Sequence, residues 1–200
     1  MILKSNKKYF SLFITLFIIG FLYIPHFVKA STEVSLIPNT QNIEEGSNFT
    51  VELKISASST PINVVDGTVI FDVNKLEIKS VNIDNSGLSI WTKQPTFDNS
   101  KGELSFDGGI GNGFLGQNMQ VLKITFFAKK SGQTKIDFKD SFAVYQNDGK
   151  GTLINPWLKP LELSISQKNV KQFEFSWLII SLILVILVLL FTVKKYVKFK

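Results

Sequence analysis

Asn48 to Ala57 reads NFTVELKISA, and its alternation decides the fold. Phe49, Val51, Leu53, Ile55 and Ala57 fall on one face, and Asn48, Thr50, Glu52, Lys54 and Ser56 on the other. A period of two over ten residues is a strand with one face in a core and one in water. Val64 to Val73 repeats the pattern, with Val65, Val69, Phe71 and Val73 inward and Val64, Asp66, Thr68, Ile70 and Asp72 outward. Ser58-Ser59-Thr60-Pro61 between the two reads as a loop.

Working outward, Glu33 to Ile37 forms a short strand closed by Pro38-Asn39, and Ile43 to Gly46 forms a turn. Leu76 to Ile83 is a strand whose pattern slips at Lys79-Ser80, the mark of a bulge. Ser89 to Lys93, Thr96 to Asp98, Glu103 to Asp107, Thr134 to Lys139, Phe142 to Gln146 and Leu161 to Ile165 are further short strands. Val121 to Ala128 places Leu122, Ile124, Phe126 and Ala128 inward. Many short strands, frequent turn residues and no helical period between residues 31 and 167 predict an all-β antiparallel sandwich.

The two ends of the chain differ from this body. Phe175 to Val193 carries no charge, and as a helix it spans about 28 Å, near the ~30 Å hydrocarbon core of a bilayer. Lys194, Lys195, Lys198 and Lys200 follow, a basic tail expected on the cytoplasmic side. At the other end, Lys4, Lys7 and Lys8 precede the apolar run Tyr9 to Ile24, with small residues at Val28-Lys29-Ala30. This reads as a signal peptide over residues 1–30, or as a first membrane helix if it is retained. Either version puts residues 31–174 outside the cytoplasm. The layout expected is a signal peptide (1–30), a β-sandwich (31–167), a short stalk (168–174), a transmembrane helix (175–193) and a cytoplasmic tail (194–200). That describes a single-pass protein of the cell membrane with an extracellular domain.

Every one of the 22 positive charges is lysine, and eight of them lie in the terminal segments. Residues 31–174 hold 14 lysines against 16 acids, so the overall charge of +6 is a topology signature and does not point to nucleic acid. The chain has no cysteine, so the sandwich rests on apolar burial without disulfides. Its one histidine, His26, lies in the N-terminal segment, which removes most zinc sites and Ser-His-Asp or thiol catalysis from the body.

Carboxylates are the catalytic option left. Asp66, Asp72, Asp98, Glu103 and Asp107 could supply the pair a glycosidase needs, but on a small sandwich they read as solvated strand residues. No enzyme, cofactor or metal is expected. Asn147 and Asp148 offer oxygen ligands without the spacing of a calcium loop. Gly111 to Gly116 matches G-x-G-x-x-G in letters, yet a strand and not a helix follows it, so it reads as an interstrand loop. Trp91, Phe97, Phe114, Tyr145 and Trp157 escape the alternation, and Trp91 and Trp157 are candidates for stacking on sugar rings.

Glu45-Gly46 before an alternating strand, then Gly67-Thr68-Val69-Ile70-Phe71-Asp72 and Leu76-Glu77-Ile78, resemble the cohesin domain's G-x-hydrophobic-x-Tyr-Asp-Pro-x-x-Leu-Glu segment. Phe71 stands where that family has Tyr, and Val73 where it has Pro. Glu103-Leu104-Ser105-Phe106, the Val121 strand and the Gly132 turn follow in the family's order, so the resemblance covers residues 33–166. It implies a nine-stranded jelly roll that binds a dockerin module through one sheet face, in the setting of polysaccharide binding or degradation. Asp66 matches the family's dockerin-bonding Asp, and Val64 replaces an Asn of the family's pattern. Thr68, Ser105 and Asp107 would complete the partner-binding patch. The chain is similar also to carbohydrate-binding sandwiches, which would contact polysaccharide directly, and an adhesin domain without a small ligand is a third class.

Overall fold

The computed structural model describes residues 32–168 and 177–197. The signal-peptide segment, most of the stalk, Phe175-Ser176 and Lys198 to Lys200 lie outside the described residues. The chain divides into two compact units, one ending at Ser166 and one beginning at Gln167.

Eleven strands build the first unit, and no helix occurs among residues 32–168. They are β1 (Thr32–Pro38), β2 (Ile43–Glu44), β3 (Asn48–Phe71), β4 (Leu76–Asn82), β5 (Ile90–Asp98), β6 (Glu103–Ala128), β7 (Gly132–Phe138), β8 (Ala143–Gln146), β9 (Leu153–Ile154), β10 (Trp157–Lys159) and β11 (Leu161–Ser166). About nine were expected; eight of the eleven answer to segments read from the sequence, with β3, β5 and β6 each joining two of them, and the other three, β2, β9 and β10, are too brief to show any period.

Two layers share β3 and β6. In layer one, β3 as far as Ala57 pairs antiparallel with β1 and with the Gly116–Phe127 part of β6, which in turn pairs with β4. In layer two, the Ile62–Phe71 part of β3 pairs with the Glu103–Phe114 part of β6 and with β7 and β8. β5 flanks β6 on the far side. β11 pairs antiparallel with β7 and parallel with β2, and β10 pairs parallel with β1. Ser58 to Pro61 and Gly111 to Gly116, both expected as loops, are therefore stretches of continuous strand that carry the chain from one layer to the other. Register shifts between Leu53 and Val64 mark the crossing, and bulges let a strand change direction without ending. The bulge expected at Lys79-Ser80 is present, with a register shift between Ile78 and Ser80.

The inward residues of both layers form one core. All five inward residues of the Asn48 strand are buried, as are Val65, Val69 and Phe71 of its continuation. Phe126 stacks on its register partner Phe49 at 5.6 Å between ring centroids and meets Phe71 of layer two edge-on at 5.4 Å. Both geometries are favourable ones for aromatic pairs. Gly67 occupies the next inward position, where a Cβ would lie 2.4 Å from the ring of Phe142 and 3.0 Å from Phe106. The two rings fill the volume that a side chain would otherwise take.

The second unit contains one helix, α1 (Trp177–Val197), over most of the stretch expected to span a membrane. No acid lies in its first turn, and Lys194 and Lys195 lie in its last. Its described side chains run from Ile179 to Lys195, and all are exposed. Among the described residues no helix is long and apolar enough to cross a membrane.

Candidate partner-binding face

Alternation along β3 points Val64, Asp66, Thr68 and Ile70 away from the core. The register sets Gly109, Asp107, Ser105 and Glu103 of β6 directly opposite them, in that order. The four residues expected to form a patch are thus two facing pairs on the outer face of layer two. Thr68 Oγ1 lies 3.0 Å from Ser105 Oγ, a hydroxyl pair that ties the strands together.

The other pair is two acids. Like charges directly opposite each other on a sheet are unfavourable, and this pair is kept where its field is open to solvent. Asp66 is exposed, and its side chain makes no hydrogen bond or ion pair among the described residues. Asp107 accepts from the Thr92 hydroxyl on β5, which fixes its carboxylate. Ala143 of β8 is the neighbour of Asp66 on the other side, so nothing bulky covers it from there. At the Ile70 end, Lys139 pairs with Glu103 at 3.0 Å, and the Lys139 N–H donates to the Thr68 carbonyl. The charge on that end is satisfied within the domain, and the charge on Asp66 is not.

Beyond Asp107 the face dips into a depression of about 350 Å³. Val64, Ile90, Ile110 and the backbone of Gly108, Gly109 and Gly111 line it, together with the polar residues Asn63, Thr92 and Asp107. Ile90 is 55% exposed there. The dip exists because β6 carries glycines. A Cβ on Gly108 would come 2.9 Å from the Ile90 carbonyl, so only glycine lets β5 and β6 close up at this point. Of these lining residues only Asp107 was expected in the patch, and Val64 was expected on the same outward face; the others were not. A signal was available in Gly108-Gly109, a glycine pair inside a strand, which marks close backbone approach.

The two tryptophans are not brought together. Trp91 on β5 is half-buried, its ring edge-on to Phe106 at 6.4 Å. Trp157 on β10, at the edge of layer one, is 58% exposed, with Lys159 Nζ 5.8 Å from its ring centroid. They do not form one stacking platform. Of the other aromatics, Phe114 packs on the core and Phe97 is 41% exposed.

The other acids singled out from the sequence have local partners. Asp98 accepts from the Ser100 hydroxyl and backbone N–H, which hold its carboxyl below the usual range. Asp72 accepts from the Asn74 N–H. The Thr152 hydroxyl and the Lys150 N–H do the same for Asp148 and lower it likewise. Among the described residues no three His, Cys, Asp or Glu side chains gather as a metal would need. Asp66 and Asp107 are the directly facing carboxylate pair on this face, and Asp66 is exposed.

No curated protein matches the chain. Its fold is similar to that of a cohesin module from a Clostridium perfringens family 33 glycoside hydrolase, with a TM-score of 0.56 at 14% identity, covering 70% of this chain and 100% of that one. A cohesin from Clostridium thermocellum, solved in a type I cohesin–dockerin complex, gives the same TM-score of 0.56 at 14% identity over 70% and 97%. A non-cellulosomal cohesin from the archaeon Archaeoglobus fulgidus gives 0.53 at 12% over 72% and 99%. A model of the cohesin domain matches residues 34–153, from β1 to the start of β9 and across both pairs of the outer face. The chain belongs to the cohesin domain family.

Proposed function

We propose that this protein displays a docking module at the cell surface. The outer face of layer two binds a dockerin-type module borne by a protein of polysaccharide binding or degradation. The apolar C-terminal stretch, taken over its full length from Phe175 to Val193 and not over the described side chains of α1 alone, holds the module on the membrane, with the sandwich outside and the basic tail in the cytoplasm.

The observation that carries the docking reading is the facing arrangement of Asp66 with Asp107 and Thr68 with Ser105 on an open sheet face. Asp66 there has no partner within the domain, and an exposed charge with neighbouring apolar surface suits the specific part of an interface. Cohesins of the same fold from Clostridium thermocellum and Clostridium acetobutylicum were solved with dockerins bound, which supports the class of partner. The role is binding and not catalysis. Support for the anchor comes from α1, whose side chains from Ile179 to Val193 include no charge, and from the lysines at its end.

The test is capture of dockerin-bearing proteins encoded in the same genome by the full chain in detergent micelles. Asp66→Ala is expected to weaken capture by about thirty-fold or more, the usual effect of truncating one partner of an interfacial charge pair. Failure to capture any dockerin, or an unchanged affinity in Asp66→Ala, refutes the reading. Exposed Trp157 favours a second reading, direct contact with polysaccharide. Glycan binding lost in Trp157→Ala and kept in Asp66→Ala would select it.

A further inference from the structure

We propose that the depression beside Asp107 is a subsite for one basic side chain of the partner, an arginine or lysine whose alkyl stem lies on the apolar floor and whose cation meets Asp107. The proposal deepens the docking reading and rests on it. Three features of the structure converge here.

The first is the floor. Val64, Ile90 and Ile110 offer apolar surface, and Gly108 and Gly109 offer backbone with no side chain in the way. At about 350 Å³ the depression falls at the small end of the ~300–1,000 Å³ typical of ligand pockets, enough for one side chain and not for a folded element. The second is the charge. Asp107 lines the depression, and Asp66 lies directly opposite it on β3, so a second carboxylate adds its negative field beside the first. No ion pair neutralises either one among the described residues. Lys93, the register neighbour of Asp107 on β5, is exposed and also makes none. The third is orientation. The Thr92 hydroxyl holds the Asp107 carboxylate in place from β5, so a cation arriving there meets an already ordered acceptor.

An apolar floor with an anionic rim matches a side chain that is apolar along its stem and charged at its tip. A purely apolar anchor would leave the Asp107 carboxylate facing its surface without compensation. Polar side chains in the lining are limited to Asn63, Thr92 and Asp107, and no aromatic ring lines it for a sugar to stack on.

The first arm of the experiment needs no partner protein, and the second uses dockerin capture. Amide resonances of the full chain in detergent micelles are followed while Nα-acetyl-arginine methylamide is added, with the citrulline and norleucine analogues as neutral probes. The expected result is saturable shifts at Ile90, Asp107, Gly108 and Gly109, with arginine at least about three-fold tighter than either neutral probe, the scale of an exposed ion pair. Asp107→Asn should abolish that preference while norleucine still shifts Gly108 and Gly109, which shows that the floor remains folded. Equal binding of the three probes, or shifts at these amides from cellobiose but not from arginine, overturns the proposal. A dockerin captured as tightly by Asp107→Asn as by the native chain also overturns it. Loss of all dockerin capture with arginine discrimination intact would instead refute the docking reading.

Discussion

Phe126 and Phe127 are adjacent, identical in chemistry and opposite in position, so replacing each by alanine separates core from surface with one composition. Phe126 is fully buried between Phe49 of layer one and Phe71 of layer two. Phe-to-Ala in a core costs about 3–5 kcal/mol, from lost transfer energy plus the cavity left behind. Two aromatic pairs are lost with the ring, each worth about 0.5–1.5 kcal/mol in part, so the cost should fall near the middle of that range or above it, about 4 kcal/mol. Phe127 is half-buried on the outer face, with Lys79 Nζ 4.9 Å from its ring centroid. Losing that contact and some covered area costs about 1 kcal/mol or less. For a sandwich of this size, an unfolding entropy of about 2.1 cal/mol/K per residue makes each kcal/mol worth about 3.5 °C. Phe126→Ala should therefore lower Tm by about 14 °C and Phe127→Ala by about 4 °C or less, read by near-ultraviolet circular dichroism. Equal shifts, or a larger one for Phe127→Ala, would mean that the strand is turned over and that the two-layer core is wrong.

Acid should destabilise the sandwich through Glu45 and Glu52. Glu45 is held below the usual range by the Ser131 hydrogen bonds, and Glu52 by Lys54 and Lys123. A depressed folded-state value gives stability that is present above the unfolded value of ~4.3 and disappears as pH falls through the lower folded one. Tm measured from neutral to acid pH should thus fall less steeply in Glu45→Gln and Glu52→Gln; an unchanged slope in both refutes the assignment. Gly67→Val should lower Tm by several degrees, since the new Cβ meets the Phe142 ring at 2.4 Å and overpacking costs about 1–3 kcal/mol. A Tm equal to that of the native chain would show that the rings yield freely. Alkaline carbonate should leave the full-length protein in the membrane pellet, and its release to the supernatant would rule out α1 as an anchor.

Much of the sandwich could be read from alternation alone. The inward set from Phe49 to Ala57 and the outward set from Val64 to Ile70 hold residue by residue, because each strand has one wet face and one dry one. The bulge near Ser80 was visible as a break in that pattern. What escaped was the crossing between layers. Ser58 to Pro61 is polar and ends in proline, and Gly111 to Gly116 is rich in glycine, so both carry turn chemistry, while the pairs Ala57 with Gly116 and Ile62 with Phe114 keep the two strands together across the crossing. Local composition does not report pairing with a strand fifty residues away. Val121 and Leu122 are both buried in sequence, since a register shift opposite Leu53 and Lys54 leaves Val121 as the extra residue; no alternation rule predicts that. The site followed the same division. Asp66, Thr68, Ser105 and Asp107 were nameable because outward parity and the resemblance agreed on them. That Asp66 faces Asp107 directly, and that a glycine-floored dip adjoins them, depends on register, which bulges set and sequence spacing does not show.

The pairing of β3 with β6 runs from Ile70 opposite Glu103 to Asn48 opposite Phe127, one very long antiparallel ribbon, broken by register shifts at the crossing, whose end nearer in sequence lies in layer two. Neither layer can come apart without opening this shared spine, so heating should melt the sandwich in a single cooperative step. Folding has a natural direction as well. Bringing Ile70 to Glu103 closes a far smaller loop than bringing Asn48 to Phe127, and the smaller closure carries the lower entropic cost. Zippering should start beside Thr68 and Ser105 and travel away from them, so the surface offered to a partner is assembled among the earliest parts of the molecule.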